Sequence, residues 1–105
     1  MTYKFNGNRY MTSGINAELP LELQLILWGM IQDNVNKKDF TMDYLQVFEL
    51  KSVNIDGMTM QEITHRQEQP SYKNVFAFET DNPITAKIFV IDDIVHITML
   101  FSHEY

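Results

Sequence analysis

The dipeptide Asp56-Gly57 separates two segments with the composition of β-strands, Asp43–Ile55 and Met58–Gln69. Asp-Gly is the pair that a two-residue type I′ turn favours, because both central residues of that turn have positive φ. A turn of this kind sets the register of the strands that it joins. The register pairs residues that are chemically compatible. Lys51 lies opposite the oppositely charged Glu62, apolar Leu50 lies opposite Ile63, and Phe48 lies opposite His65. The sequence therefore predicts an antiparallel hairpin.

A second hairpin is predicted near the C-terminus, with Asp92-Asp93 as its loop and Ile84–Ile91 and Ile94–Phe101 as its strands. Asp-Asp is a poorer turn than Asp-Gly, so a longer loop is the alternative. In that register the alternate residues form one wholly apolar face: Ile84, Ala86, Ile88, Val90, Val95, Ile97, Met99 and Phe101. The opposite face mixes polar and apolar residues, so we expect it to be partly exposed. A slip of one residue would destroy this separation.

The segment Gln61–Gln69 holds a single aliphatic residue, Ile63, and is polar for a central strand. Its composition favours an edge strand protected by charge. The outer face of such a strand would carry four polar or charged side chains: Glu62, Thr64, Arg66 and Glu68. We expect this face to be a candidate docking surface.

Apolar residues at helical spacing between Leu19 and Val35 predict one amphipathic helix, with an apolar arc of about 200°. Asn16 or Glu18 is the expected N-cap, Pro20 fits the first turn, and the helix is expected to end within 33–36. An arc this wide indicates a helix buried on most of its circumference. Gln24 falls inside the arc and Leu25 falls outside it. Gln24 is then either a buried amide bonded to a strand backbone group or part of a helix edge that meets a partner.

These elements, with a short strand over Arg9–Thr12 and another over Asn74–Thr80, predict an α+β fold in one domain, residues 1–105. We expect one N-terminal helix packed on a mostly antiparallel sheet of about five strands. The hairpin over Ile84–Phe101 should be central in the sheet, and the strand over Gln61–Gln69 should be peripheral.

The charge balance excludes several classes of function. Fourteen acidic and eight basic residues give a net charge of −6, and the eight cations are too few and too scattered for direct nucleic-acid binding. The absence of cysteine removes disulfides, thiolate metal sites and cysteine nucleophiles. The sequence also shows neither a signal peptide nor an apolar segment of about 20 residues, so we expect a cytoplasmic protein without a membrane span.

No catalytic, nucleotide-binding or metal-binding motif is recognisable, so we expect neither enzymatic activity nor a cofactor. Asp92 and Asp93 are better explained as turn residues, because neighbouring side chains point apart. The alternative in the enzyme class is a metal-dependent hydrolase that uses His96 with Asp92 or Asp93. In the register above, however, His96 lies opposite Phe89, about four residues from the aspartates, and a strand rises roughly 3.3 Å per residue. A single turn therefore cannot bring all three side chains around one metal ion.

Resemblance to a known family rests on five segments: INAELPLELQLILWGMI, DYLQVFEL, HRQEQPSY, ITAKIFVIDD and TMLFSHEY. In this order and spacing they resemble a domain-of-unknown-function family, number nine-sixty, found in Gram-positive bacteria and their mobile elements. The resemblance covers residues 9–105 and brings no catalytic residues with it.

The length, acidity, lack of cysteine and family resemblance are also similar to those of phage-encoded anti-CRISPR proteins that inhibit the type II effector nuclease. This similarity implies a non-catalytic protein whose partner is the guide-loaded effector nuclease, itself a protein with a basic groove. An accessory protein of plasmid or phage replication fits the same features. The expected partner-binding residues are the exposed charges of the edge strand and of the C-terminal turn: Glu62, Arg66, Glu68, Asp92 and Asp93.

Overall fold

The computed structural model describes residues 2–105, in which two helices cover one face of a six-stranded sheet. The elements in chain order are β1 (Asn8–Met11), α1 (Ser13–Glu18), α2 (Leu21–Val35), β2 (Leu45–Ile55), β3 (Met58–Gln67), β4 (Tyr72–Glu79), β5 (Ala86–Asp92), β6 (His96–Phe101) and a 3₁₀ turn (Ser102–Glu104). The strand order is β1-β6-β5-β2-β3-β4, with β1 parallel to β6 and every other pair antiparallel. The α+β class is confirmed, with six strands where about five were expected.

The β2–β3 hairpin has the predicted register. Asp56 and Gly57 have φ values of 52° and 82°, as a type I′ turn requires, and Asn54 Oδ1 accepts a 3.1 Å hydrogen bond from the Gly57 amide. The three predicted cross-strand pairs are all present: Lys51 with Glu62, Leu50 with Ile63, and Phe48 with His65.

The prediction that the Gln61–Gln69 segment forms an edge strand is wrong. Strand β3 lies between β2 and β4, and the edges of the sheet are β1 and β4. Two glutamines of β3 that face the helices, Gln61 and Gln67, are buried and hydrogen-bonded to distant backbone groups. The Gln61 amide exchanges two hydrogen bonds with Ile84, of 2.8 and 3.0 Å, and Gln67 Nε2 donates to the carbonyl of Thr41 at 2.9 Å.

The C-terminal hairpin is confirmed, and its loop is the longer alternative rather than the two residues Asp92-Asp93. Asp92 is the last residue of β5 and lies opposite Ile97, and β6 begins at His96, so the loop comprises residues 93–95. The pairing is shifted by four residues, an even number, and the side chains therefore keep the predicted faces. Ile88 and Ile97 are buried as expected, whereas Val95 lies in the loop and is 66% exposed.

Asp92 leaves the turn because its carboxylate binds two backbone amides inside the protein. Its side chain is 5% exposed and accepts hydrogen bonds of 2.9 Å from the amides of Phe5 and of Ile94. The first bond ties the N-terminal segment to the end of β5, and the second shapes the β5–β6 loop. Phe5 is buried in the core beside the helices.

The single predicted helix is two helices. Thr12 caps α1, since its hydroxyl accepts from the Ile15 amide at 3.2 Å, and Pro20 is the N-cap residue of α2. Asn16 and Glu18, the expected caps, lie within α1. The wide apolar arc is confirmed. Helix α2 fully buries Leu23, Gln24, Leu27, Ile31 and Asn34, and on either side of them Ile26, Trp28, Met30 and Val35 pack partly buried against the core.

Gln24 is a buried, hydrogen-bonded amide, as the first of its two interpretations predicted, but the group that accepts its hydrogen bond is not the expected one. Gln24 is 5% exposed, and its Nε2 donates a 2.8 Å hydrogen bond to the carbonyl of Leu19, between the helices, rather than to a strand. Leu25 is 61% exposed. Within residues 2–105 no helix combines the length and the apolar character that crossing a bilayer requires.

His65 lies under the helices in a polar part of the core. Its ring stacks on Phe48 with a centroid distance of 4.3 Å, and its Nε2 lies 2.7 Å from Gln46 Oε1. Burial, which is the larger cause, and the charge of Lys37 together lower the pKa of His65 to about 4. The histidine therefore stays neutral in the folded protein at neutral pH.

We expect Asp92→Ala to reduce the free energy of unfolding by about 3 kcal/mol, because one buried amide, of Phe5, and one partly buried amide, of Ile94, lose a charged acceptor. Urea denaturation at neutral pH measures this loss. Asp93→Ala is the matched control, since the neighbouring carboxylate is exposed, and its loss should be clearly smaller. Equal losses for the two variants would contradict the structural role of Asp92.

We also expect the protein to lose roughly 3 kcal/mol of stability as the pH falls from 6.5 to about 4, through His65 alone. In that range the unfolded chain takes up a proton on this histidine and the folded chain does not, so acid favours unfolding. Denaturation curves at several pH values should show a shallower pH dependence for His65→Gln than for the wild type. Parallel pH dependences would show that His65 titrates normally in the folded state.

Candidate binding surface

The face of the sheet that points away from the helices is named the open face here. Side chains reach it from alternate positions of the strands, since successive residues of a strand point to opposite faces. Its central part consists of residues from four adjacent strands: Val47, Glu49 and Lys51 of β2, Glu62, Thr64 and Arg66 of β3, Lys73 and Val75 of β4, and Lys87 and Phe89 of β5. Antiparallel sheets commonly leave one face to solvent or to a partner.

Two ion pairs cross from β2 to β3 on the open face. Arg66 Nε donates a 2.8 Å hydrogen bond to Glu49 Oε1, and Lys51 Nζ lies 3.4 Å from Glu62 Oε1. Lys73 is opposite Arg66 on the other side of β3. Glu49, Lys51, Thr64, Arg66 and Lys73 together line a shallow depression of about 330 Å³.

The Arg66 hydrogen bond holds the pKa of Glu49 below its ordinary value, and the charges of Arg66, Lys87 and Lys73 act in the same direction. Four of the eight cationic side chains of the chain lie on this face: Lys51, Arg66, Lys73 and Lys87. Three carboxylates accompany them: Glu49, Glu62 and Glu79. Cations therefore outnumber carboxylates on the open face of a chain whose net charge is −6.

Apolar and aromatic side chains flank the charged centre on the side of β5, β6 and β1. Tyr105 packs edge-on against Phe89 with a centroid distance of 5.6 Å, and Tyr10 packs against His96 at 5.0 Å. Tyr10 is 48% exposed and Tyr105 is 76% exposed. Aromatic residues and arginine are enriched in protein interfaces, so this composition fits a docking surface.

The five expected partner-binding residues do not form one surface. Glu62 and Arg66 both lie on the open face, each bound to a residue of β2. Glu68 is exposed beyond the end of β3, and Asp93 is exposed in the β5–β6 loop. Asp92 is buried and occupied by backbone amides, so the expectation that it contacts a partner is wrong.

Asp93 in the β5–β6 loop interacts with His96, the first residue of β6. The Asp93 carboxylate accepts hydrogen bonds from the amides of His96 and Val95, at 2.6 and 3.1 Å, and these bonds lower its pKa. The His96 Nδ1 atom lies 3.8 Å from Asp93 Oδ2. The carboxylate of Asp92, the other expected ligand, is turned to the interior. Among residues 2–105 no three His, Cys, Asp or Glu side chains are grouped so that they could hold a metal ion.

Sequence reasoning missed Glu49, Lys73 and Lys87 as members of this surface. The alternation Val47, Glu49, Lys51 is a signal that β2 has one charged face. Lys73 and Lys87 join them only because β4 and β5 lie beside β3 and β2, and the local sequence does not contain that strand order.

A family model described as "Staphylococcal protein of unknown function (DUF960)" matches residues 8–104. A solved structure, described as the crystal structure of a protein of unknown function from Enterococcus faecalis, has a similar fold with a TM-score of 0.73. The two sequences are 24% identical, and the match covers 100% of this chain and 98% of the other. No curated protein matches this sequence.

We expect Arg66→Gln to raise the pKa of Glu49 towards its ordinary value of 4.5, because the hydrogen bond that stabilises the charged carboxylate is lost. A carboxyl-carbon NMR titration measures this pKa directly. Lys51→Gln is the matched control, since Lys51 pairs with Glu62 and should leave the Glu49 titration unchanged. Equal shifts in both variants would contradict the specific Arg66–Glu49 bond.

Proposed function

The chain belongs to the staphylococcal DUF960 family, and we propose that it acts without catalysis, by binding another protein through the open face of its sheet. The observation that carries this proposal is the gathering of four of the chain's eight cations on one face that no described helix covers. A protein with a net charge of −6 has its cations concentrated where a partner has access.

The polar groups of the chain divide into two sets that support this proposal. In the interior, Asp92 and His65 have a structural role, since each side chain is hydrogen-bonded to protein groups and shielded from solvent. Outside, Glu49 and Arg66 form a hydrogen-bonded pair on the open face, where side chains are accessible to another molecule. The accessible set offers ion pairing and hydrogen bonding, which fit recognition.

The charge of the open face specifies the chemistry of the partner surface. Lys73 and Lys87 are exposed and carry no ion pair within 4.0 Å to a described residue. Complementarity therefore favours a partner surface with exposed carboxylates at this contact. Phe89 and Tyr105 beside the charged centre supply an apolar flank for the same contact.

For the identity of the partner we propose the guide-loaded CRISPR effector nuclease, in the cytoplasm of the bacterial host. Over long range the net charge of −6 favours approach to a protein that has a basic groove, whereas at contact the cationic open face would meet carboxylates outside that groove. The fold neighbour and the family description name no partner. An accessory role in plasmid or phage replication is the alternative.

The test is binding of the purified protein to the purified guide-loaded effector, and affinity capture from host extract with the same set of variants. We expect the double variant Arg66→Glu with Lys87→Glu to lose the partner, because two attractive contacts become repulsive. Lys4→Glu with Lys38→Glu is the matched control, since it makes the same change in net charge at two exposed cations away from the open face. It should retain the partner.

Each result bears on a separate part of the proposal. Equal loss in both double variants would mean that only net charge matters, and the open-face proposal would be wrong. No complex with the effector and unchanged target-DNA binding, even with the protein in large excess, would remove the CRISPR partner. Capture from the extract that depends on Arg66 and Lys87 would then favour a different partner at the same face.

A further inference from the structure

The two edges of the sheet differ in what they offer to another strand. Strand β1 is short, with four residues, and short edge strands resist further pairing. Strand β4 has eight residues, Tyr72–Glu79, and pairs with β3 on one side only. Its sequence has no proline and holds two charged residues, Lys73 near the start and Glu79 at the end. The β4 edge is therefore the one with room for a further strand.

The backbone groups that point outward from β4 can be assigned from the ladder. The Thr80 amide donates a 3.1 Å hydrogen bond to the Thr59 carbonyl, which makes Thr59 and Thr80 a hydrogen-bonded pair. Hydrogen-bonded and non-bonded pairs alternate along an antiparallel ladder. The even-numbered residues of β4 thus face β3, and the odd-numbered ones direct their N–H and C=O groups outward: Lys73, Val75, Ala77 and Glu79.

Four consecutive side chains of β4, from residue 73 to residue 76, are also exposed. Val75 is 51% exposed on the open face, and Phe76 is 45% exposed on the face that carries the helices. Phe76 has Phe78 as its aromatic neighbour, with a centroid distance of 5.9 Å. An exposed strand edge with two large apolar side chains and unpaired backbone groups is a site for strand addition.

We propose that the occupant of this edge is a second copy of the chain, and that two β4 strands pair antiparallel about a two-fold axis through Phe76. In this register Lys73 of each copy lies opposite Glu79 of the other, so two ion pairs form at the ends of the interface. Val75 lies opposite Ala77 of the other copy between them. The four outward residues of each strand then meet the same four of the partner, as an antiparallel ladder requires.

Charge complementarity selects this register among those that the ladder permits. A shift of two residues in one direction places Lys73 opposite Ala77 and leaves Glu79 beyond the paired strand. A shift in the other direction places Glu79 opposite Val75, an unmatched pair. The register centred on Phe76 also brings the two Phe76 rings face to face across a non-hydrogen-bonded position, where cross-strand side chains are closest.

A two-fold axis perpendicular to the sheet keeps corresponding faces on the same side. The helices of both copies then cover one side of a continuous sheet, and both open faces lie on the other. The pairing shares Lys73, Val75 and Glu79 with the open face. The two proposals are nevertheless tested separately, because the partner test changes Arg66 and Lys87 whereas the dimer test changes Lys73 and Glu79.

The test measures molar mass by light scattering over a range of protein concentration, with charge variants of the two end residues. We expect the wild type to form dimers, and Lys73→Glu and Glu79→Lys each to raise the dimer dissociation constant roughly tenfold or more, because two attractive pairs become repulsive. The double variant Lys73→Glu with Glu79→Lys restores opposite charges in every pair, so it should dimerise as the wild type does. Lys38→Glu is the control for a charge change elsewhere.

A variant that removes a backbone N–H group tests the β4 edge without changing its charge. Val75→Pro removes an outward amide that β3 does not use, and proline is tolerated at such positions of edge strands. It should abolish dimerisation while circular dichroism shows an intact fold. A single monomer mass up to about 1 mM protein, where even weak association is detectable, would overturn the proposal. So would a dimer that resists both charge reversals, or a double variant that fails to recover.

Discussion

The turn at Asp56-Gly57 is the constraint on which both faces of the sheet depend. It fixes the register of β2 and β3, and these strands lie next to each other in the middle of the strand order. Because side chains alternate along a strand, a slip of one residue would turn Arg66 towards the helices and His65 towards solvent. The stacked His65 of the core and the ion-paired Arg66 of the open face are therefore consequences of one turn, in which both central residues have positive φ.

The covered face explains why part of this fold could be predicted from sequence and part could not. The β2–β3 register was predictable because a local dipeptide determines it. The position of β3 was not, because its polar residues were interpreted as an exposed edge. Gln61 and Gln67 are satisfied by the backbone of Ile84 and Thr41, each more than twenty residues away. A polar side chain with a distant partner looks the same in the sequence as one that faces water.

The same difference between local and distant determinants explains what could be predicted about Asp92 and about the open face. Aspartate before a loop indicates a turn, and nothing near it in the sequence shows that the Phe5 amide, 87 residues away, would bind its carboxylate. On the open face, Glu62 and Arg66 were identified from their own strand, and the Lys51–Glu62 pair from the turn. Lys73 and Lys87 enter this surface through the β3–β4 and β2–β5 pairings, which are tertiary features.

The net charge of the protein acts at long range on an approaching partner, whereas the charges of individual side chains act only near contact. Electrostatic interactions between exposed groups are screened over about 8 Å at physiological salt. At long range an approaching protein experiences a chain of net charge −6, whereas at contact it meets the cations around Arg66. Lys73 takes part in this local field and also lies at the outer strand, where Glu79 supplies the opposite charge on the same edge. A strand with a cation near one end and an anion at the other is complementary to its own antiparallel copy. The β4 edge therefore favours self-association through Lys73 and Glu79, while Lys51, Arg66 and Lys87 on the other strands of the open face stay available to a different molecule.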